Sequence, residues 1–177
     1  MKILLPNLES LFNIASDKEF ETFSLQVFRY QYNKNKVYRE FVDLLNINPL
    51  NVKTVQEIPF LPISFFKSHS VTTDNLVQVT FKSSGTSGQE RSQHQVLDVS
   101  VYEKSFRKGF QHFYGNLSEF TILGLLPSYL EQGDSSLVYM IQGFISTTKQ
   151  NGSGFYLNNF SELNQKIKEL ESQEIDE

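Results

Sequence analysis

The sequence predicts an α/β fold: N-terminal helices followed by a mixed sheet with flanking helices. Two observations carry this. Apolar residues recur at helical spacing between residues 16 and 45. Beyond residue 73, β-rich runs alternate with helical patterns, as in layered α/β architectures. We read 1–72 as mainly helical and 73–177 as an α/β region, together forming a single domain or part of one.

The elements follow in order. Ser16-Asp17-Lys18-Glu19 fits a capping box, and Phe20, Phe23, Val27 and Tyr30 make a helical stripe behind it. Val37, Phe41, Leu44 and Leu45 form a second stripe that ends before Asn48-Pro49. IPFLPISFFKSH (58–69) contains Pro59 and Pro62, so it starts extended. VQVTFK (77–82) alternates and reads as a strand, and HQVLDV (94–99) as a second. Ser100-Val101-Tyr102-Glu103 fits another capping box, with Tyr102, Phe106, Phe110 and Phe113 as the buried stripe. TILGLLP (121–127) reads as a buried strand stopped by Pro127. A helix over Ser135 to about Thr147, a short strand SGFYLN (153–158) and a last helix bearing Phe160, Leu163, Ile167 and Leu170 complete the order.

Composition narrows the function classes. The 177 residues carry 16 Lys+Arg against 20 Asp+Glu, a net charge of −4, which argues against general nucleic-acid binding. With no cysteine, the chain has neither a disulfide framework nor a thiolate nucleophile or metal site. His69, His94 and His112 are not spaced as a zinc set. No apolar run reaches membrane-spanning length, and MKILLPNLES lacks the pattern of a signal peptide. The expected setting is cytoplasmic.

The chemistry-bearing segment is FKSSGTSGQERSQH (81–94). Gly85 and Gly88 can take positive φ and turn backbone N–H groups inward, which makes a nest for an anion. The hydroxyls of Ser83, Ser84, Thr86 and Ser87 can donate to phosphoryl oxygens, and Thr86 can sit on a phosphate-bound Mg²⁺. Lys82 and Arg91 bracket the run with positive charge. The pattern is neither a Walker P-loop nor a Rossmann fingerprint. From composition alone, a flexible hairpin loop remains an equal reading. His94 follows Arg91 closely, although a lone histidine beside a strand is more often structural.

This segment resembles the phosphate-binding loop of the adenylate-forming enzymes, whose signature is S/T-S-G-T-T/S-G-x-P-K. Ser83 to Gly88 match it, while Glu90 and Arg91 stand where Pro and Lys are usual. Together with FRYQYNKNKVYREF (28–41), IPFLPISFFKSHSV (58–71) and LLPSYLEQGDSSLVYM (125–140), it resembles more closely the acyl-protein synthetase (long-chain-fatty-acid luciferin-component ligase) family.

The resemblance implies activation of a carboxylic acid, a fatty acid in particular. The carboxylate attacks the α-phosphate of ATP, pyrophosphate leaves, and the acyl group passes from the acyl-adenylate to a thiol or hydroxyl acceptor such as a protein or CoA. The implied cofactors are ATP and Mg²⁺. Ser83, Ser84, Gly85, Thr86, Ser87 and Gly88 would then cradle phosphates. Thr86 would contact phosphate or Mg²⁺, and Arg91 would add charge near the leaving pyrophosphate. Tyr129 and Ser136 fall in the segment that lines the acyl pocket of relatives; the alternative is that Tyr129 is core and Ser136 a helix cap.

Motifs of the Y-G-x-T-E kind, a ribose-binding aspartate and a C-terminal catalytic lysine region are not found. The resemblance therefore implies the N-terminal portion of a longer enzyme. Such a portion is expected to expose a sheet edge and to self-associate. The competing hypothesis is a non-catalytic module that keeps the fold and binds an acyl group, a nucleotide or a partner.

Overall fold

A computed structural model describes residues 7–83, 90–126 and 133–175. The chain is mixed α/β and helix-rich at its N-terminus, and it divides into two compact units, one up to Val101 and one from Tyr102.

In the first unit, a short α1 (Leu8–Leu11) precedes α2 (Asp17–Lys34) and α3 (Lys36–Leu44). Ser16 caps α2 as expected: its Oγ accepts from Glu19 N at 3.3 Å, while the Glu19 carboxylate reaches back to Ala15 N at 2.9 Å. A single residue, Asn35, joins α2 to α3. Its N–H closes α2 on Gln31 O (2.8 Å), and its Oδ1 opens α3 by accepting from Tyr38 N (3.1 Å). One residue thus serves both helix ends, its backbone N–H closing α2 and its side chain opening α3, which holds α3 in a fixed direction against α2. At the far end of α3, Asn46 takes φ 55°, with Ile47 N on Val42 O and Asn46 N on Asp43 O, a Schellman closure.

The α2–α3 pair buries Phe28, Tyr38 and Val42 together with Val52 and Ile58. Val42 is wholly enclosed. Burial of side chains of this size contributes roughly 2 kcal/mol each. The proline-bearing segment begins without regular structure, as expected, turns at Ile63–Ser64 and enters α4 (Phe65–Ser68). β1 (Val79–Lys82) and β2 (Gln93–Val96) pair antiparallel, with Phe81 opposite His94 and Lys82 opposite Gln93.

The second unit is built on α5 (Val99–Tyr114) from Tyr102 onward, α6 (Ser136–Thr147) and α7 (Phe160–Ile175). Phe106, Leu117 and Phe144 form its core. β3 (Leu123–Gly124) and β4 (Gly154–Phe155) pair parallel, which requires a crossover connection such as the one that contains α6. Among the described residues the strands make two separate two-stranded ladders.

Local details differ from expectation at several points. Phe113, expected in the buried stripe of α5, is 78% exposed, and the strand expected at 153–158 is regular over Gly154–Phe155 only. The first turn of α5 is closed by Asp98, whose carboxylate accepts from Ser100 N (3.0 Å) and Ser100 Oγ (2.6 Å). Glu103 does not close a capping box there; it accepts from Tyr139 Oη (2.7 Å) and pairs with Arg107. A carboxylate one residue ahead of the helix, reaching its second N–H, out-competes a serine hydroxyl for the helix start. The cap of α6 is Ser135, whose Oγ accepts from Val138 N, and Ser136 is the first helical residue. The expected strand at 121–127 is regular over Leu123–Gly124 only.

Candidate functional site

The hairpin β1–β2 positions the candidate site at its mouth. Register fixes this: after Lys82 pairs with Gln93, the chain leaves the ladder at Ser83 and rejoins it at Ser92. The mouth is closed by a mixed pair of hydrogen bonds. Ser83 N donates to Ser92 O at 3.0 Å, and Ser92 N donates to the side-chain Oγ of Ser83 at 3.0 Å. A serine hydroxyl here replaces the carbonyl that a further residue pair of the ladder would offer. Because it accepts there, the hydroxyl still has its own proton to donate.

Arg91 crosses the same mouth. Its Nε donates to Ser83 O at 2.6 Å and its Nη2 reaches Lys82 O at 3.4 Å. The guanidinium thus grips two consecutive carbonyls at the loop base, a use of its planar fork that lysine cannot reproduce. Lys82 itself is exposed beside it. The base of the loop therefore combines two cations with a hydroxyl, a donor set that fits a polyphosphate anion.

The sequence-predicted residues are placed unevenly. Ser83 and Arg91 are brought together at the mouth. Ser84, Gly85, Thr86, Ser87 and Gly88 lie outside the described residues, as does Tyr129. Ser136 belongs to the second unit, where its carbonyl accepts from Tyr102 Oη at 3.0 Å. Sequence reasoning missed Ser92 as the partner that closes the mouth. Its signal was weak: a serine beside Arg91 with nothing to show that it pairs across to Ser83.

His94 lies on β2 opposite Phe81, edge-on to Phe66 with ring centroids 6.0 Å apart. Among the described residues its ring is set against aromatic neighbours. No helix among the described residues is long and apolar enough to cross a membrane.

A family model described as acyl-protein synthetase, LuxE, matches residues 11–128, which takes in α2, α3, the β1–β2 hairpin and α5. Searches of curated proteins and of solved structures return no match.

Proposed function

This chain belongs to the acyl-protein synthetase (LuxE) family, and from that premise we propose that it acts in the ATP-dependent activation of a carboxylic acid, a fatty acid in particular, as an acyl-adenylate. The acyl group is then passed to a thiol or hydroxyl acceptor, a protein in the first instance. The family's description supports acyl activation and transfer in general. Placement among the adenylate-forming enzymes, and the use of ATP with Mg²⁺, rest on the sequence of residues 83–88.

The observation that carries the reading is the mouth of the β1–β2 hairpin. A Ser/Gly run with phosphate-loop chemistry is set on a base braced by Arg91 through Ser83 and Lys82. ATP, when bound, supplies the electrophilic phosphorus. The protein's part is to fix the phosphates and offset charge as it develops on them, which is most of what phosphoryl chemistry asks of a site. Thr86 and the backbone of Ser84–Gly88 take the phosphates in this reading, with Lys82 and Arg91 supplying the charge.

The test is acid-dependent exchange of labelled pyrophosphate into ATP by the native gene product. Thr86→Ala is expected to lower exchange at least about a hundredfold, the scale for removing a donor aimed at developing charge. Unchanged exchange in that variant, with the fold intact by circular dichroism, would overturn the assignment of the loop.

A further inference from the structure

A cavity of about 600 Å³ opens in the first unit between α2, β2 and the segment 71–73. It lies within the size range of sites that hold one small organic ligand. Among the described residues that line it, none is Lys, Arg, Asp or Glu. The α2 wall presents Phe20, Phe23 and Val27 beside Ser24 and Gln31, while the opposite wall carries Thr72, Thr73 and His94 among Phe66, Val71 and Leu97. None of Phe20, Phe23 and Val27 is fully buried, so they present carbon surface to the cavity rather than completing the core around Val42.

The wall that carries His94 is also the wall that leads to the phosphate loop. His94 stands two residues beyond Ser92, roughly 7 Å along an extended strand from the braced mouth. A ligand lying along β2 would thus have one end among apolar side chains and the other toward Ser83 and Arg91.

We propose that this cavity holds the acyl chain of the acid, its hydrocarbon tail against Phe20, Phe23 and Val27 and its carboxylate end directed along β2 past His94 toward the loop. The inference rests on the reading of the chain as an acid-activating protein and adds the location and direction of the acid. It places the tail in the helical first unit, not in the segment around Tyr129 and Ser136. An uncharged lining suits a hydrocarbon, since charged side chains there would have to be stripped of water when it binds. Each buried methylene contributes about 0.8 kcal/mol, so affinity is expected to rise with chain length until the cavity is filled.

The experiment uses the full chain and a fluorescent fatty acid, dansylaminoundecanoic acid, displaced by unlabelled saturated acids of increasing length. Val27→Phe fills the cavity from α2. Thr73→Phe fills it from the opposite wall, outside any helix or strand, and guards against misfolding of the first variant. Both are expected to weaken probe binding roughly tenfold and to shift preference toward shorter acids, with unchanged circular dichroism. Ser136→Phe is expected to leave binding intact.

Wild-type affinity in both filled variants, or loss of binding in Ser136→Phe alone, would overturn the proposal. So would binding that appears only after deletion of residues 1–6, which would make that segment the occupant. The two readings fail separately. If acids drive pyrophosphate exchange while the filled variants change neither binding nor chain-length preference, the cavity assignment falls and acid activation stands. If the probe binds here as described but no acid drives exchange, acid activation falls and an apolar-ligand site remains.

Discussion

Arg91 Nε donates to the carbonyl oxygen of Ser83 across the mouth of the β1–β2 hairpin, at 2.6 Å. Eight residues apart in sequence, the two are joined at the point where the ladder opens into the Ser/Gly run. Arg91 therefore acts on the loop's shape as well as on its charge. Removing it takes away charge-assisted hydrogen bonds worth about 1.5–3 kcal/mol each. Arg91→Ala is expected to lower acid-dependent pyrophosphate exchange at least about tenfold. Arg91→Lys is expected to recover only part of it, because an ammonium restores charge without the fork. Full recovery by lysine would show that the carbonyl contacts do not matter to the loop. Comparing kcat with the KM for ATP separates loop positioning from simple attraction of the nucleotide.

Asn35 carries the second prediction. It is 4% exposed and serves as the C-cap of α2 and the N-cap of α3 at once. Loss of an N-cap side chain costs about 1 kcal/mol. Here the Tyr38 N–H that it receives is buried, and leaving such a donor unsatisfied costs ~1–3 kcal/mol. Asn35→Ala is expected to destabilise the first unit by roughly 2 kcal/mol, read as a lower urea midpoint. Asn35→Asp, which keeps the acceptor, is expected to lose less. Equal losses in the two variants would refute the capping role.

How far the sequence could be read depended on the range of the interactions involved. The stripes behind Ser16 and around Phe41 are local, and α2 and α3 formed where the 3.6-residue period placed them. The hairpin was legible because VQVTFK and HQVLDV alternate on either side of a polar run. At Ser100, two candidates two residues apart competed for one helix start, and the carboxylate of Asp98 took it. That competition is energetic and does not show in residue pattern. The run at 121–127 read as a longer strand because apolar content cannot report where pairing stops. Its regular pairing with β4 covers only Leu123 and Gly124, and the Gly124 carbonyl takes one further bond, from Tyr156 N at 2.9 Å. The loop's chemistry was visible in Ser83 to Gly88, but its brace was not, since Ser83, Ser92 and Arg91 meet only once the register is set. The cavity was the least legible feature, because its walls come from segments as far apart as Phe20, Thr73 and His94.

Gly143, in the middle of α6, supplies the third prediction. An alanine in a helix interior is normally better than glycine by about 1 kcal/mol. A Cβ at Gly143 would lie 2.6 Å from Phe106 Cζ. Phe106 cannot retreat freely, since it is buried and meets Phe144 edge-to-face at 5.2 Å. Overpacking of a core typically costs ~1–3 kcal/mol, which exceeds the gain in propensity. Gly143→Ala is expected to lower the stability of the second unit by about 1 kcal/mol net. A variant as stable as the parent, or more so, would show that the α5–α6 contact is loose enough to absorb a methyl group.

Tyr38 gives a prediction whose sign changes with pH. Burial pushes its phenol pKa up to about 12 from the ordinary 10, and its hydroxyl donates to Pro59 O at 2.8 Å. Because the folded pKa lies above the unfolded one, the protonated phenol's contribution is complete below pH 10. It is lost progressively as pH rises from 10 through 12, since the unfolded chain ionises first. The loss is on the order of 2 kcal/mol for a shift of this size. Tyr38→Phe cannot ionise, so it lacks this component of alkaline destabilisation. At neutral pH the variant instead leaves the Pro59 carbonyl without its donor, at a cost of about 1 kcal/mol. The phenylalanine variant is therefore expected to be the less stable protein at pH 7 and to close the gap, then match or exceed the parent, as pH approaches 12. Tyr32, Tyr102 and Tyr139 also have raised pKa values and keep some alkaline slope in both proteins. The difference between the two urea-midpoint curves isolates Tyr38. A gap constant from neutral pH to about 12 would mean that its phenol titrates alike in the folded and unfolded chain, and that the α2–α3 core does not shield it from water.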